Sequence, residues 1–304
     1  MLIATLPSAS KTSLIERMYS HPLLDGARYN VGMRETHSTE EIVQHLKEIA
    51  EQHKKKLWMD LKGRQLRITK WADPTYGDIE LSHEIAVDLP ATIVFRGSDQ
   101  SRIVSIAENR IVVDPDPKYA LGAGQAVNIL GKNFSIKGSY LTEHDKHFIL
   151  AAKKEGIHDY MLSFVERNED IAEVLALDPE ARCVLKIESL PGLAYVREKY
   201  TFADGQLMAA RDDLLVHIGE NKSAMLPALD LIIRKDPEAI AASQLFTSLL
   251  EGRLSMPDVA DVKLLHEMRY KHFMLSDEVS HKCFTEAMTA WQDFQNVYAK
   301  VHHD

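Results

Sequence analysis

The run Cys183-Val184-Leu185-Lys186-Ile187-Glu188 is a short apolar strand with charged side chains at its carboxyl end. A second run, Met208-Ala209-Ala210-Arg211-Asp212-Asp213, has the same character, and its last residue follows Glu188 by 25 positions. Parallel α/β folds carry their chemistry at the carboxyl ends of the strands. We therefore expect two carboxylates and a lysine to converge there.

This set of groups suits one divalent cation and an anionic substrate. Carboxylate oxygens are the ligands that Mg²⁺ and Mn²⁺ prefer, and an ammonium group neutralises a phosphate or a carboxylate. Two buried strands whose terminal charges only reach solvent would give the same spacing. The spacing alone leaves both interpretations open.

Apolar runs of four to six residues alternate with amphipathic stretches along most of the chain. Strands are predicted at residues 2–6, 27–31, 57–61, 159–164, 183–187, 205–209, 239–242 and 272–275. Helices are predicted at residues 10–20, 38–56, 142–155, 168–177, 259–270 and 286–302. Eight strands alternating with helices predict an α/β fold of the (β/α)₈ TIM-barrel type.

The interval 68–136 breaks this alternation. Turn signals such as Asp88-Leu89-Pro90 and Asp114-Pro115-Asp116-Pro117 separate short β-like pieces at 92–95, 102–106 and 110–113. We interpret it as a small all-β insertion. The predicted organisation is a first barrel part at 1–67, an inserted β-rich domain at 68–138 and a second barrel part at 139–304.

Composition excludes several classes of protein. A formal charge of −9 opposes loose binding to nucleic acid, and no run of 18 apolar residues predicts a membrane span. The apolar residues before Pro7 are too few for a signal peptide. Two cysteines cannot form a disulfide framework. These features favour a cytoplasmic enzyme.

Motifs along the whole chain resemble the pyruvate kinase family. Lys186-Ile187-Glu188 followed by Met208 to Asp213 is similar to that family's Lys-Ile-Glu and Met-x-Ala-Arg-x-Asp. Further similar stretches, in family order, are Ile3 to Ser10, Ala27 to Asn30, Met59 to Arg67, Leu141 to Asp145, Met161 to Val165, Ala242 to Leu245, Asp261-Val262 and Met274 to Glu278. The resemblance implies a barrel of the phosphoenolpyruvate/pyruvate type with a lid insertion.

The resemblance also implies catalytic roles. Glu188 and Asp213 would bind Mg²⁺ or Mn²⁺, and Lys186 would neutralise charge on the transferring phosphoryl group or the enolate oxygen. Arg28 would act on the transferred phosphate. Ser243 keeps the hydroxyl that the family's threonine places near the substrate methyl carbon.

Other matched residues would bind the substrate or cofactors. Arg211 and Asp212 match the substrate-binding segment, and Arg67 matches an arginine that faces the nucleotide. Asn30 and Asp60 match ligands of the family's K⁺. From the residues alone, Arg28 and Arg67 could instead pair with surface acids, and Asn30 could cap a turn.

Several positions depart from the family pattern. Gly32 and Leu61 replace a serine and a threonine that supply oxygens to K⁺, so we do not expect a K⁺ site. Gln65 stands where the family usually has an acidic residue. Asp212 and Asp277 replace glycines, and a carboxylate at position 212 would repel a substrate carboxylate.

Three hypotheses remain. The first is a phosphotransferase acting on a small anionic substrate with ADP or ATP. The second is a metal-dependent oxoacid lyase or aldolase that stabilises a pyruvate enolate on the same barrel, and the third is a non-catalytic relative with a binding or regulatory role. The lid-like insertion favours the first, because excluding water assists phosphoryl transfer.

The resemblance also bears on assembly. Family members continue into a C-terminal regulatory domain that we do not expect here. We therefore expect a homodimer. The candidate apolar surfaces are the helices near 221–256 and the stretch with Trp291, Phe294 and Tyr298.

Overall fold

The structure is a computed structural model that describes residues 1–95 and 99–301, with only the backbone for 298–301. The chain begins with β1 (Leu2–Thr5), α1 (Thr12–Ser20), β2 (Gly26–Asn30), α2 (Thr39–Gln52) and β3 (Lys56–Leu61). Short strands follow: β4 (Ile79–Glu80), β5 (Ile85–Ala86), β6 (Ala91–Val94), β7 (Gln100–Ala107), β8 (Arg110–Asp114), β9 (Asn128–Leu130) and β10 (Ser135–Ile136).

Helices and strands alternate again in the rest of the chain. They are α3 (Glu143–Lys154), β11 (Asp159–Leu162), α4 (Asn168–Leu177), β12 (Arg182–Ile187), α5 (Leu190–Glu198), β13 (Gln206–Ala210), α6 (Arg211–Ile218), α7 (Met225–Lys235), β14 (Ile240–Ala242), α8 (Met256–Glu267), β15 (His272–Met274), α9 (Asp277–Lys282) and α10 (Phe284–Val301). The chain divides into two compact units, one of residues 1–61 and 143–304 and one of residues 62–142.

The first unit is a closed barrel of eight parallel strands in the order β1-β15-β14-β13-β12-β11-β3-β2. Pairing of Thr5 with Arg28 and of Asn30 with Asp60 brings the carboxyl ends of β1, β2 and β3 to the same rim. The predicted (β/α)₈ fold is confirmed. Each predicted barrel strand is present, with its ends within two residues of the prediction.

The inside of the barrel changes from apolar to charged toward this rim. Trp58, Met161 and Val184 belong to the buried core. Residues two positions apart on a strand lie on the same face, because side chains alternate across a strand. Asp60 and Lys186 follow Trp58 and Val184 by two positions on β3 and β12, so the strand period brings both charged groups to the barrel mouth. Ser163 follows Met161 by two positions, one residue after the end of β11.

Helix α2 ends earlier than predicted. It begins at a capping box, in which the Ser38 hydroxyl accepts from the Glu41 amide and the Glu41 carboxylate accepts from the Ser38 amide. Its last residue is Gln52, and Lys54 adopts a left-handed φ of 54°. The prediction that the helix extends to residue 56 is therefore wrong, and Lys56 instead opens β3.

The pattern did not predict α5, α6 or α9. Helix α6 follows β13 with no linker, and α9 has six residues, too few for a clear period. Within the part of the chain that the structure describes, no helix is long and apolar enough to cross a membrane.

The second unit has its own β-rich core. A five-stranded antiparallel sheet in the order β4-β8-β7-β6-β9 lies beside a two-stranded pair, β10-β5. Ile68, Ile93 and Ile111 are among its buried residues. The unit starts at Lys62 rather than 68, because residues before 68 pair within it: the Val127 amide donates to the Leu66 carbonyl.

Candidate functional site

Lys186 lies at the centre of the barrel mouth with only 5% of its surface exposed. Its Nζ donates to Ser163 Oγ at 2.8 Å and lies 3.1 Å from both Asp60 Oδ1 and Glu188 Oε1. An ammonium has three N–H donors, and these three oxygens match that number. Burial opposes the lysine charge, but Asp60 and Glu188 outweigh it, so the pKa of Lys186 is raised.

Asp60 links Lys186 to Arg28. Its Oδ2 accepts from Arg28 Nε at 2.9 Å and from Nη2. Arg28 Nη1 donates to Thr5 Oγ1 at 3.1 Å and to Asp277 Oδ1. These two carboxylates raise the pKa of Arg28 against the effect of its burial. The group of Arg28, Asp60, Ser163, Lys186 and Glu188 is called the lysine network below.

Glu188 has one charged partner in this network, Lys186, whereas Asp60 pairs with both Lys186 and Arg28. Glu188 Oε2 accepts from the Phe164 amide at 2.7 Å, where the backbone after β11 turns into the left-handed region at φ 52°. Burial raises the pKa of Glu188 to about 7. Lys186 opposes this rise, and the charges of Asp213 and Asp60 add to it.

Asp213 lies in the first turn of α6, where the helix dipole favours a carboxylate. Its charge raises the pKa of both Glu188 and Lys186 and opposes the burial that lowers the pKa of His217. Of the three residues that the sequence predicted to converge, Lys186 and Glu188 are in contact, and Asp213 lies close enough for its charge to act on both.

Arg211, which directly follows β13 next to the strand of Lys186, is held by protein groups. Its Nη1 donates to both oxygens of Asp261, at 2.7 and 2.9 Å. Its Nε donates to the Ala242 carbonyl at 3.3 Å, and Nη2 donates to the Ser243 carbonyl. Arg211, Asp261 and these two carbonyls form what is called the arginine brace below. The brace ties the start of α6 to β14 and α8.

Ser243 and Asp212 lie next to this brace. Ser243 and Gln244 both have left-handed backbones, with φ of 65° and 57°. The Asp212 carboxylate accepts from the side chains of Gln244 and Ser243. Burial raises the pKa of Asp212 in spite of these bonds. Asp212 is therefore bonded to the loop after β14.

Two predicted cofactor-binding residues have local roles in the structure. Asn30 Oδ1 accepts from the Gly32 amide at 3.0 Å and caps the turn after β2. Arg67 belongs to the second unit, where it donates to the Gly124 carbonyl and to Gln65 Oε1.

The sequence interpretation assigned no role to several residues that shape the site. Ser163 and Thr5 supply hydroxyl oxygens to Lys186 and Arg28, and Asp277 supplies a carboxylate. Glu35 holds the turn after β1 by accepting from Ser8 Oγ and the Ala9 amide, both at 2.7 Å. A polar residue at or just after a strand end was the available signal for Thr5 and Ser163. No local sequence pattern indicates the role of Glu35.

The carboxylates of Glu188 and Asp213 fit a divalent cation that retains several water ligands. Among residues 1–95 and 99–301, no group of three or more His, Cys, Asp or Glu side chains is arranged to hold a metal ion. Mg²⁺ is commonly bound through one or two carboxylates, with water and substrate oxygens completing its shell. Glu188 and Asp213 match that pattern. Burial raises the pKa of Glu188, and the charges of Asp213 and Asp60 add to the rise, so these carboxylates would attract a cation placed beside them.

Relatives of known identity resemble this chain at the level of sequence. A curated pyruvate kinase from Lactobacillus delbrueckii subsp. bulgaricus is 29% identical over 206 residues, which cover 63% of this chain and 32% of that protein. One from Methylorubrum extorquens is 25% identical over 301 residues, which cover 86% and 60%. The matched region therefore spans less than two thirds of either relative.

A solved structure and a family description agree with these matches. The crystal structure of a pyruvate kinase from Cryptosporidium parvum superposes with a TM-score of 0.71 at 19% identity, covering 92% of this chain and 64% of that one. This similarity concerns the fold. The family description "Pyruvate kinase, barrel domain" matches residues 100–263, more than half of the chain. On this match the chain belongs to the pyruvate kinase family.

Proposed function

We propose that this protein is a divalent-metal-dependent phosphotransferase of the pyruvate kinase type, acting on phosphoenolpyruvate or a similar small anion. The observation that carries the proposal is the buried lysine network beside Asp213. Charges are expensive to bury, and such groups concentrate where a site must act on charge. Family membership supports the reaction class.

Glu188 and Asp213 would hold Mg²⁺ or Mn²⁺ in this proposal. When bound, the cation would supply positive charge to substrate oxygens. Lys186 would add an ammonium whose direction is already set by Asp60, Ser163 and Glu188. Such a fixed charge stabilises a developing oxyanion without reorganisation during the reaction.

ADP or ATP is the proposed second substrate. Ser243 is the candidate hydroxyl toward the first substrate. We expect activity to be independent of K⁺. Gly32 and Leu61 have no side-chain oxygens, and Asp60 is already committed to Arg28 and Lys186.

The test is a turnover assay with phosphoenolpyruvate, ADP and Mg²⁺, in the presence and absence of K⁺. We expect pyruvate formation at a similar rate in both conditions and its loss in Lys186→Met. Lys271→Met is the matched control, because Lys271 is exposed and pairs with Glu238 away from the lysine network. Full activity in Lys186→Met would contradict the proposal.

A second candidate is a metal-dependent oxoacid lyase or aldolase that acts through a pyruvate enolate. The observation that favours it is the double pairing of Arg28 with Asp60 and Asp277, which leaves less of its charge for a phosphoryl group. Lys186, Glu188 and Asp213 suit an enolate oxygen as well as a phosphate oxygen. Decarboxylation of oxaloacetate with Mn²⁺, and no kinase turnover, would select this candidate. No turnover in either assay would select the non-catalytic alternative.

We also propose a homodimer. Of the predicted apolar surfaces, Trp291 is buried against His266 and Phe273 within the barrel unit, whereas the 221–256 region exposes Leu226 and Leu254. The side chain of Tyr298 lies outside the described residues. The 221–256 region is therefore the better candidate surface. Light scattering should give twice the 34.4 kDa chain mass, and a tetramer would contradict this proposal.

A further inference from the structure

The partners of Arg28 fall into two classes that differ in exposure. Asp60 and Thr5 have no exposed surface, so they cannot move away without opening the core. The side chain of Asp277 is 43% exposed. The Arg28 guanidinium thus bonds to two buried partners, Asp60 and Thr5, and to one partner on the solvent side, Asp277.

Asp277 occupies the place that an incoming anion would take. Arg28 lies on β2 and pairs with Thr5, the last residue of β1, near the carboxyl rim of the barrel, where ligands of this fold bind. Its Nη1 donates to Thr5 inside and to Asp277 outside. A phosphate or carboxylate oxygen is recognised by arginine through the same kind of charged hydrogen bond. The Asp277 carboxylate and such an oxygen therefore have equivalent chemistry at Nη1.

We propose that Asp277 determines anion specificity at the barrel mouth by competing with a substrate oxygen for Arg28 Nη1. This inference rests on the proposed function in one respect, that the natural ligand is a small anion. An anion binds Arg28 by exchange, and the Asp277 side chain turns into solvent when it is displaced. Ligands that bring too little charge to displace Asp277 are rejected.

The competing explanation is that Asp277 only stabilises the start of α9. Asp277 and Glu278 both lie in the first turn of that helix, after the capping residue Ser276. Either acid would interact with the helix dipole. Glu278 pairs with Lys282, whereas Asp277 pairs with Arg28. Glu278→Gln is therefore a matched control that removes the same charge from the same turn.

The test is calorimetric titration of the whole chain with inorganic phosphate. We expect Asp277→Asn and Asp277→Ala to bind phosphate about tenfold more tightly than the unmodified chain, because the competing carboxylate is gone. Glu278→Gln should stay within about twofold, since its charge acts only at longer range. In Asp277→Asn combined with Arg28→Lys, the gain should disappear, because lysine cannot reproduce the guanidinium geometry. A thermal melt of each variant checks that it is folded.

Unchanged or weaker phosphate binding in both folded Asp277 variants would overturn the inference. An equal gain in Glu278→Gln would also overturn it, because the effect would then be one of net charge. Absence of phosphate binding in every folded variant would also overturn the inference, because Arg28 without its Asp277 partner would then not bind an anion. Kinase turnover is measured separately, so a phosphate gain without turnover would refute the proposed function alone.

Discussion

Two neighbouring parts of the barrel mouth neutralise buried charge in different ways. In the arginine brace, Arg211 meets one carboxylate and two backbone carbonyls, and its Asp261 partner is partly exposed. In the lysine network, the carboxylates of Asp60 and Glu188 converge on one ammonium in the interior, and the Glu188 carboxyl has a pKa of about 7. The brace is complete as it stands. In the network, burial and the neighbouring carboxylates raise the pKa of Glu188, and this is the part of the mouth where we propose that a cation binds.

Removal of the ammonium should produce the largest change in stability. Lys186→Met would leave Asp60 and Glu188 buried without their shared partner, and breaking a buried ion pair costs about 3–5 kcal/mol. Urea unfolding of the metal-free chain measures this loss. The exposed-site variant Lys271→Met should lose less than about 1 kcal/mol. A similar small loss in Lys186→Met would mean that the network does not depend on its lysine.

The pH dependence of stability should reveal Glu188. Its folded pKa of about 7 lies above the ordinary value of 4.5, so the folded chain retains a proton that the unfolded chain releases. The associated stabilisation is complete below pH 4.5 and is lost as the pH rises to about 7, at a cost on the order of 3 kcal/mol.

Urea unfolding in the presence of a chelator, from pH 4.5 to 8, measures this slope. Glu188→Gln should remove its contribution, whereas Glu198→Gln, at an exposed position, should leave the slope unchanged. If the free energy of unfolding of Glu188→Gln changed with pH as steeply as that of the unmodified chain, another group would be holding the proton.

The brace should show a smaller effect that depends on geometry rather than on charge. Arg211→Lys keeps the positive charge but loses the two-oxygen contact with Asp261 and the carbonyl bonds, so we expect a loss of about 2 kcal/mol. Arg234→Lys is the control, because Arg234 is exposed and pairs with Asp230 within α7. Equal losses in the two variants would contradict the structural role given to Arg211.

The barrel and the centre of its site could be predicted from local sequence, and much of their surroundings could not. Lys186 lies on β12 and Glu188 is the residue directly after it, two positions later, so their convergence is expected from a period of two. The Arg28–Asp277 contact joins residues 249 positions apart, and no local pattern indicates it. The left-handed backbones at Ser243 and Gln244 are equally hidden, because neither residue is a glycine. The family resemblance implied that Arg211 binds the substrate, but it did not predict that protein groups already bond to its guanidinium.

Binding of Mn²⁺ to the otherwise metal-free chain tests the central claim most directly. Calorimetry or the Mn²⁺ paramagnetic signal should show one site per chain, and Glu188→Gln and Asp213→Asn should each abolish it, because few other charged ligands are available there. Asp230→Asn, which removes an exposed carboxylate elsewhere on the barrel, should bind as the unmodified chain does. Unchanged Mn²⁺ affinity in both Glu188→Gln and Asp213→Asn would show that these carboxylates are structural and would contradict the account.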